Sequence, residues 1–266
     1  MHETAYAKIN LALHVRARRQ DGYHELETVF AFVDAGDELA VGPAAQDGLR
    51  VVGEFGGELA DPFGNIVARA LTALPRQAGW AVTLEKRLPV AAGLGGGSAD
   101  AGAVFRLVER AQGLPADWHA RAAALGADVP ACVASRACIG RGTGTDLQAV
   151  PHNDLAGCPV LLVNPRIPLA TGPVFKGWDG IDRGPLPEGD LRTIARDGRN
   201  DLEAPALALV PQIGDVLAAL RETGAWLVRM SGSGATCFAL YDDAAARDRA
   251  QAAMPAAWWT LAGALR

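Results

Sequence analysis

Four glycines, Gly93, Gly95, Gly96 and Gly97, fall within five residues of the run K-R-L-P-V-A-A-G-L-G-G-G-S-A-D-A-G-A, Lys86 to Ala103. Glycine has no Cβ, so a ligand can approach its backbone N–H closely. Ahead of the glycines, Ala81–Glu85 alternates as a strand does, with Val82 and Leu84 on one face. Behind them, Ala101, Val104, Phe105, Val108 and Ala111 recur at helical spacing. Ser98 is placed to cap that helix and Gly113 to end it, with Pro115 just beyond. Strand, glycine loop and helix N-terminus in that order point to anion chemistry, above all phosphate. The first N–H groups of a helix lack intrahelical acceptors, and its dipole is positive there. A flexible turn between strand and helix is the plainer alternative. Neither common phosphate loop fits. No G-x-x-x-x-G-K-[ST] occurs, and Gly93-x-Gly95-x-x-Ser98 has Ser where the dinucleotide fingerprint has Gly.

Three other groupings carry chemistry. In Thr4–Val15, Ala7, Ile9, Leu11, Leu13 and Val15 form one strand face, and Tyr6, Lys8, Asn10, Ala12 and His14 the other. Lys8 and Asn10 thus stand side by side, about 7 Å apart by strand rise, either as a solvated face or as a pair aimed at a ligand. Asp128 precedes Val129-Pro130, and Pro favours a first helical turn. It is a structural cap or a catalytic carboxylate at a helix N-terminus. Ser231-Gly232-Ser233-Gly234 is a second glycine loop that local sequence fits equally well as a hairpin turn.

The elements that must position these groups follow from pattern and punctuation. Arg16–Gly22 is polar and ends in Asp-Gly, a turn signal. Tyr23–Phe32 then reads as a second strand, with Tyr23 and His24 at its start. Glu38–Gly42 and Leu49–Val52 read as further strands. Asn65 caps a helix with the apolar face Ile66, Val67, Ala70, Leu71 and Leu74, and Trp118–Leu125 is a short helix closed by Gly126. Gly140–Asp146 is glycine-rich and polar, and the domain boundary is placed there, giving domains 1–145 and 146–266. Beyond it, Pro159–Val163 reads as a strand, Phe175-Lys176 follows a Pro-rich extended piece, and Gly177–Arg199 is loop. Two helices (Asp201–Leu209, Ile213–Glu222), two strands (Trp226–Met230, Ala235–Tyr241), a helix (Asp243–Met254) and a closing strand (Trp258–Leu261) complete the chain. The order β, α, β, β, α, β is that of a ferredoxin-like domain.

Composition sets outer bounds. At 266 residues, the chain is long enough for one large or two ordinary domains. Hydrophobic content of 50% with 21% charged residues is that of a globular protein. A net charge of −5 argues against a general nucleic-acid binder. An acidic protein still binds anionic nucleotides if its cations are concentrated locally, and Lys8, Arg16, Arg18, Arg19, Lys86 and Arg87 are candidates. No apolar run approaches membrane-spanning length, and no basic n-region with an apolar core opens the chain. Cys132, Cys138, Cys158 and Cys237 show no ligand or disulfide spacing and read as free thiols in a reducing cytoplasm.

P-V-A-A-G-L-G-G-G-S-A, Pro89–Ala99, resembles the P-x-x-x-G-L-G-S-S-A loop of the GHMP kinases, the superfamily of galactokinase, homoserine kinase, mevalonate kinase and phosphomevalonate kinase. A-K-I-N-L-A-L-H-V, D-G-Y-H-E-L, L-G-A-D-V-P and S-G-S-G-A resemble, in order along nearly the whole chain, motifs of the branch whose acceptor is 4-diphosphocytidyl-2-C-methyl-D-erythritol. The resemblance implies an α+β, two-domain GHMP kinase fold: a ribosomal protein S5 domain 2-like N-terminal domain and a ferredoxin-like C-terminal domain closing the substrate cleft. It implies ATP-dependent phosphorylation of the acceptor's 2-hydroxyl, in non-mevalonate isoprenoid precursor synthesis, with Mg²⁺. By the same resemblance Asp128 accepts the hydroxyl proton, Lys8 stabilises charge on the transferring phosphoryl group, and Asn10 orients the acceptor. The ATP phosphates would lie on Pro89, Val90, Ala91, Ala92, Gly93, Leu94, Gly95, Gly96, Gly97, Ser98 and Ala99. Tyr23 and His24 would contact cytosine, Phe175 would form the facing wall, and Gly232 and Gly234 would meet the phosphates. Gly96 and Gly97 occupy the two Ser positions of the wider superfamily, one of which often helps hold the metal, so no metal ligand is assigned. The resemblance fits a cytoplasmic enzyme, monomeric or weakly homodimeric, acting on a small molecule without nucleic acid or membrane. Two alternatives stay open. A sibling small-alcohol kinase should lack the Tyr-His platform, and a non-catalytic nucleotide-binding module would not need both Lys8 and Asp128.

Overall fold

The computed structural model of the chain describes residues 1–59, 64–150 and 152–266. These form two compact units, each assembled from separate stretches of chain. The first takes Met1–Lys8, Ala35–Val90 and Gly95–Ser135; the second takes Ile9–Asp34, Ala91–Leu94 and Arg136–Arg266.

The first unit contains the start of β1 (His2–Arg18), the end of β2 (His24–Ala44), β3 (Gly48–Val52), α1 (Ile66–Ala73), β4 (Gly79–Glu85), α2 (Gly96–Gln112), α3 (Trp118–Leu125) and α4 (Val129–Ala134). β4 lies between β2, to which it is antiparallel (Val41 opposite Val82), and β3, to which it is parallel (Val51 opposite Leu84). β2 is one continuous strand where the sequence reads as two. Asp37 interrupts the apolar alternation, yet it is fully buried and paired with Lys86, so the ladder runs on. Asn65 caps α1 as expected, its side chain accepting from Val67 N at 2.9 Å. α2 is the central helix of the unit and packs on α1, α3 and α4. Ala101, Ala103, Val104, Phe105, Leu107 and Val108 are all buried, and truncating Phe105 to Ala would cost about 3–5 kcal/mol.

In the second unit the beginning of β2 pairs antiparallel with β5 (Cys138–Gly142), which forms a hairpin with β6 (Asp146–Ala149). Residues 140–146, the expected boundary, lie in this hairpin. After β7 (Pro159–Asn164) come the helices α5 (Thr171–Lys176), α6 (Leu191–Asp197), α7 (Glu203–Leu209) and α8 (Gln212–Arg221). β8 (Leu227–Met230), β9 (Cys237–Leu240), α9 (Ala244–Ala253) and β10 (Trp259–Ala264) complete the unit. The sheet order β10-β7-β9-β8, antiparallel throughout, with α8 and α9 packed on it, is the ferredoxin-like arrangement. Its core joins Leu161 and Val163 of β7 to Val216, Leu217 and Leu220 of α8 and to Tyr241. One local expectation fails: Gly177–Arg199 contains α6, whose start Asp190 caps by accepting from Thr193 N. Phe175 lies in α5, after residues 165–170, which form neither helix nor strand.

Candidate active site

The loop between β4 and α2 ends in a left-handed residue. Gly95, at φ 60° and ψ 23°, is the cap position of α2, and no side chain caps it. Ser98, the expected cap, lies inside the first turn, where helical dihedrals exclude it from that role. The first bond of the turn runs from Ala99 N to Gly95 O at 2.8 Å. The N–H groups of Gly96, Gly97 and Ser98 therefore precede the helical ladder, at the positive end of a helix of 17 residues. Such a helix end can cradle an anion. Gly97 is exposed, and Gly96 and Ser98 are half-buried.

Lys8 and Asp128 meet at this same end. Lys8 Nζ lies 3.1 Å from Asp128 Oδ2, and a Cβ on Gly95 would stand 2.9 Å from Lys8 Cε and 3.8 Å from Asp128 Oδ2. Lys8 is 4% exposed, so the reading of its strand face as solvated does not hold. Asn10 and His14 of that face are buried too. Asp128 stands at the start of α4 but makes no capping bond, its carboxylate facing Lys8 instead. Its side chain keeps 31% exposure, so a partly exposed carboxylate is paired with a buried ammonium at this helix end. A carboxylate can accept a proton and an ammonium can neutralise charge, the two demands of phosphoryl transfer to a hydroxyl.

The second unit brings together Asn10, Gly93 and the second glycine loop. Ser231 Oγ accepts from Asn10 N at 3.3 Å and donates to Gly93 O at 2.8 Å. Gly93 has φ 76°, and a Cβ there would collide with Ser231 O. Asn10 Nδ2 donates to Thr28 Oγ1 at 2.8 Å, which turns Oδ1 toward Gly232; a Cβ on Gly232 would lie 3.3 Å from it. Asn200 Nδ2 donates to Met230 O and Gly232 O, both at 2.8 Å. Gly234, at φ 85°, closes the loop. Thr28, Asn200 and the bridging role of Ser231 carry no signal in the sequence, since each acts on partners far away along the chain.

The same unit places His24 against Phe175, with ring centroids 5.1 Å apart, and edge-on to Trp178 at 5.8 Å. Arg18 lies over the Trp178 ring and donates to Trp178 O. His24 Nε2 and Trp178 Nε1 are buried without a hydrogen-bond partner. Burial, and secondarily the Arg18 charge, lowers the His24 pKa, favouring neutral imidazole. Tyr23 is in the turn before β2, 64% exposed. The Tyr-His expectation thus resolves into an exposed Tyr23 and a packed His24, and Trp178 is a member that sequence reasoning missed.

A family profile described as GHMP kinases N terminal domain matches residues 65–136, and one described as GHMP kinases C terminal matches residues 184–259. The 4-diphosphocytidyl-2-C-methyl-D-erythritol kinase of Novosphingobium aromaticivorans is 77% identical over 100% of this chain and 93% of its own. The protein of the same name from Erythrobacter litoralis is 62% identical over 99% of each. The chain belongs to the 4-diphosphocytidyl-2-C-methyl-D-erythritol kinase family of GHMP kinases. A crystal structure of a 4-(cytidine 5'-diphospho)-2C-methyl-D-erythritol kinase superposes with TM-score 0.84 at 37% identity, covering 100% of this chain and 99% of that one. Homoserine kinase from Cytophaga hutchinsonii, at 18% identity and TM-score 0.65, covering 98% of this chain and 95% of that one, shares the fold.

The charges around the site differ from the sequence expectation. Lys86, expected to offer positive charge to a ligand, is 2% exposed and held between Asp37 and Asp100. Arg16 pairs with Glu27 and Asp182, Arg19 with Asp21 and Glu25, and Arg87 with Glu85 and Glu38. Among the described residues, the N-terminus of α2 and Lys8 bring positive charge to Gly95. Among the described residues, no group of three His, Cys, Asp or Glu side chains could hold a metal. Among the same residues no helix is long and apolar enough to cross a membrane.

Proposed function

We infer that this chain transfers a phosphoryl group from ATP to the 2-hydroxyl of 4-diphosphocytidyl-2-C-methyl-D-erythritol. The products are the 2-phosphate and ADP, in non-mevalonate isoprenoid precursor synthesis. The observation that carries the reading is the Lys8–Asp128 pair, set against the uncapped N-terminus of α2 in a chain of this family. Gly96, Gly97 and Ser98 N–H groups hold the nucleotide's phosphate oxygens. Asp128 takes the proton from the acceptor hydroxyl as its oxygen forms the new P–O bond and the bond to ADP breaks. Lys8 offsets the negative charge on the transferring group. Asn10, its amide turned by Thr28, orients the acceptor. Mg²⁺ bound to the nucleotide would neutralise part of its phosphate charge. The enzyme works in the cytoplasm as a monomer or weak homodimer.

His24 carries substrate choice. Its buried, unpartnered Nε2 is a polar atom awaiting a ligand, and Phe175 gives a base an aromatic face to stack on. Such stacking contributes on the order of 1–3 kcal/mol per base. The test offers the enzyme ATP and Mg²⁺ with, separately, the cytidylated methylerythritol, free methylerythritol phosphate, homoserine and mevalonate, and follows ADP release. Turnover is expected with the cytidylated acceptor alone. Comparable kcat/KM with an uncytidylated alcohol would show that the rings do not read the substrate.

A further inference from the structure

Beneath the cradle lies a buried charge cluster that the mechanism above does not use. Lys86 follows the last residue of β4, Asp37 comes from β2 and Asp100 from the start of α2. Lys86 Nζ donates to Asp37 Oδ2 and, at 2.8 Å, to Asp100 Oδ2. The three side chains are at most 2% exposed. Asp37 Oδ1 accepts from Arg87 N at 2.6 Å and Leu88 N at 2.8 Å, the residues that lead into the glycine loop. On the leaving side, a Cβ on Gly96 would stand 3.4 Å from Lys86 Nζ and 3.7 Å from Asp37 Oδ2. The cluster therefore grips the chain just before the loop and again in the first turn of α2.

Its charge does not balance as written. One ammonium and two carboxylates sum to −1, buried behind a site built for anions. Asp100 Oδ1 is buried with no hydrogen-bond partner, an environment that disfavours charge on this carboxyl. Burial pushes Asp100 up to about 8; Lys86 pulls it down and Asp37 pushes it up. Burial acts to lower Lys86, but Asp100 and Asp37 outweigh it and the ammonium stays charged. The helices packed on α2 turn apolar side chains inward: Val67, Ala70 and Leu71 from α1, Ala122 from α3, and Val129 and Val133 from α4.

We propose that Asp37, Lys86 and Asp100 are positioning residues for the phosphate cradle, tying its entering strand to the first turn of α2 as a neutral cluster that holds one proton. The proposal rests on the nucleotide reading above. When Asp100 ionises, a buried negative charge appears behind the cradle and opposes the nucleotide's phosphates.

Calorimetric titration with ADP at fixed Mg²⁺ tests it. Between about pH 7.5 and about pH 9.5, where ADP's own phosphates are already ionised, wild-type affinity should fall about three- to tenfold. Asp100→Asn removes the titrating carboxyl and should hold its affinity within about twofold over that range. Asp37→Asn leaves Asp100 as the one carboxylate for Lys86, and should also flatten the profile. Thermal midpoints give an independent readout. The native state holds a proton that the unfolded chain releases near pH 4, so Asp100 costs wild type stability as pH rises from about 4 to about 8, and none further beyond. The midpoint of Asp100→Asn should therefore gain on wild type over that window and then run parallel. The same fall in affinity in wild type and Asp100→Asn would overturn the proposal alone. No ADP binding by wild type at any pH would overturn the nucleotide reading and this proposal with it.

Discussion

Lys8 Nζ lies 3.1 Å from Asp128 Oδ2, joining a buried cation to a carboxylate that keeps a third of its surface. The asymmetry separates their roles. A carboxylate placed at a helix start for stability would accept capping bonds from the first-turn N–H groups, and Asp128 accepts none. Asp128→Asn preserves size and removes the base. Its kcat should fall by about 10²–10⁴, with nucleotide affinity nearly unchanged. Near-wild-type turnover in single-turnover assays would remove Asp128 from the chemical step.

Lys8→Met tests the cation without emptying its space. The aliphatic stem passes Gly95, where a Cβ would come within 2.9 Å of Lys8 Cε. Lys8→Ala therefore loses packing as well as charge, and Lys8→Met loses charge alone. Both should lower kcat, but only Lys8→Ala should move the thermal midpoint appreciably. Equal loss of midpoint in the two would make the charge structural.

Two glycines of the cradle should respond differently to a side chain. Gly97 is exposed, and a Cβ there meets only Ile66 Cγ2, at 3.5 Å, which is ordinary contact. Gly97→Val should weaken ADP binding while the thermal midpoint moves little. Gly95 has φ 60° and would press on Lys8, so Gly95→Ala should lower stability and kcat together, by roughly 1–2 kcal/mol for the left-handed residue alone. Unchanged ADP affinity in Gly97→Val would return the loop to a plain turn.

What the sequence revealed, and what it hid, divides by the range of the interactions. The α2 helix, the end at Gly113, the Asn65 cap and the β7–β10 order follow from periodicity and punctuation within a few residues. The burial of Lys8, Asn10 and His14 did not, because their partners Asp128, Thr28 and the Pro185 carbonyl are distant in sequence. Ser98 misled because Ser is a common cap, whereas here a left-handed Gly95 makes the turn and leaves the N–H groups to a ligand. Lys86 misled because net charge says nothing about which lysines are neutralised by partners from other strands and helices.

Ser231 offers a test of how the second glycine loop is fixed. Its hydroxyl is fully buried and bridges Asn10 N and Gly93 O. Ser231→Ala strips a partner from both, at a cost of about 1–3 kcal/mol if either stays unsatisfied. Acceptor KM should rise along with the loss of stability, since Asn10 moves with the bridge. A stability loss with unchanged KM would confine Ser231 to the fold.

His24 should set the pH dependence of acceptor recognition. Burial and the Arg18 charge hold its pKa below the ordinary 6.5, so the ring is neutral at neutral pH, with one nitrogen donating and the other accepting. The sign follows directly. The unfolded chain binds a proton at higher pH than the native ring does, so the native ring's stability contribution is present above pH 6.5 and is lost as pH falls through the lowered value. Recognition should follow the same course. Below the depressed pKa the ring becomes a double donor and loses its accepting nitrogen, so acceptor KM should climb while KM for ATP holds. His24→Phe keeps an aromatic ring beside Phe175 and Trp178 but cannot titrate. It should raise acceptor KM by about ten- to a hundredfold through loss of a buried hydrogen bond, and make that KM flat with pH in the acid range. Tyr23→Ala, at an exposed residue outside that packing, should raise acceptor KM less. Parallel acid profiles for wild type and His24→Phe would assign the titration to another group and leave His24 as packing alone.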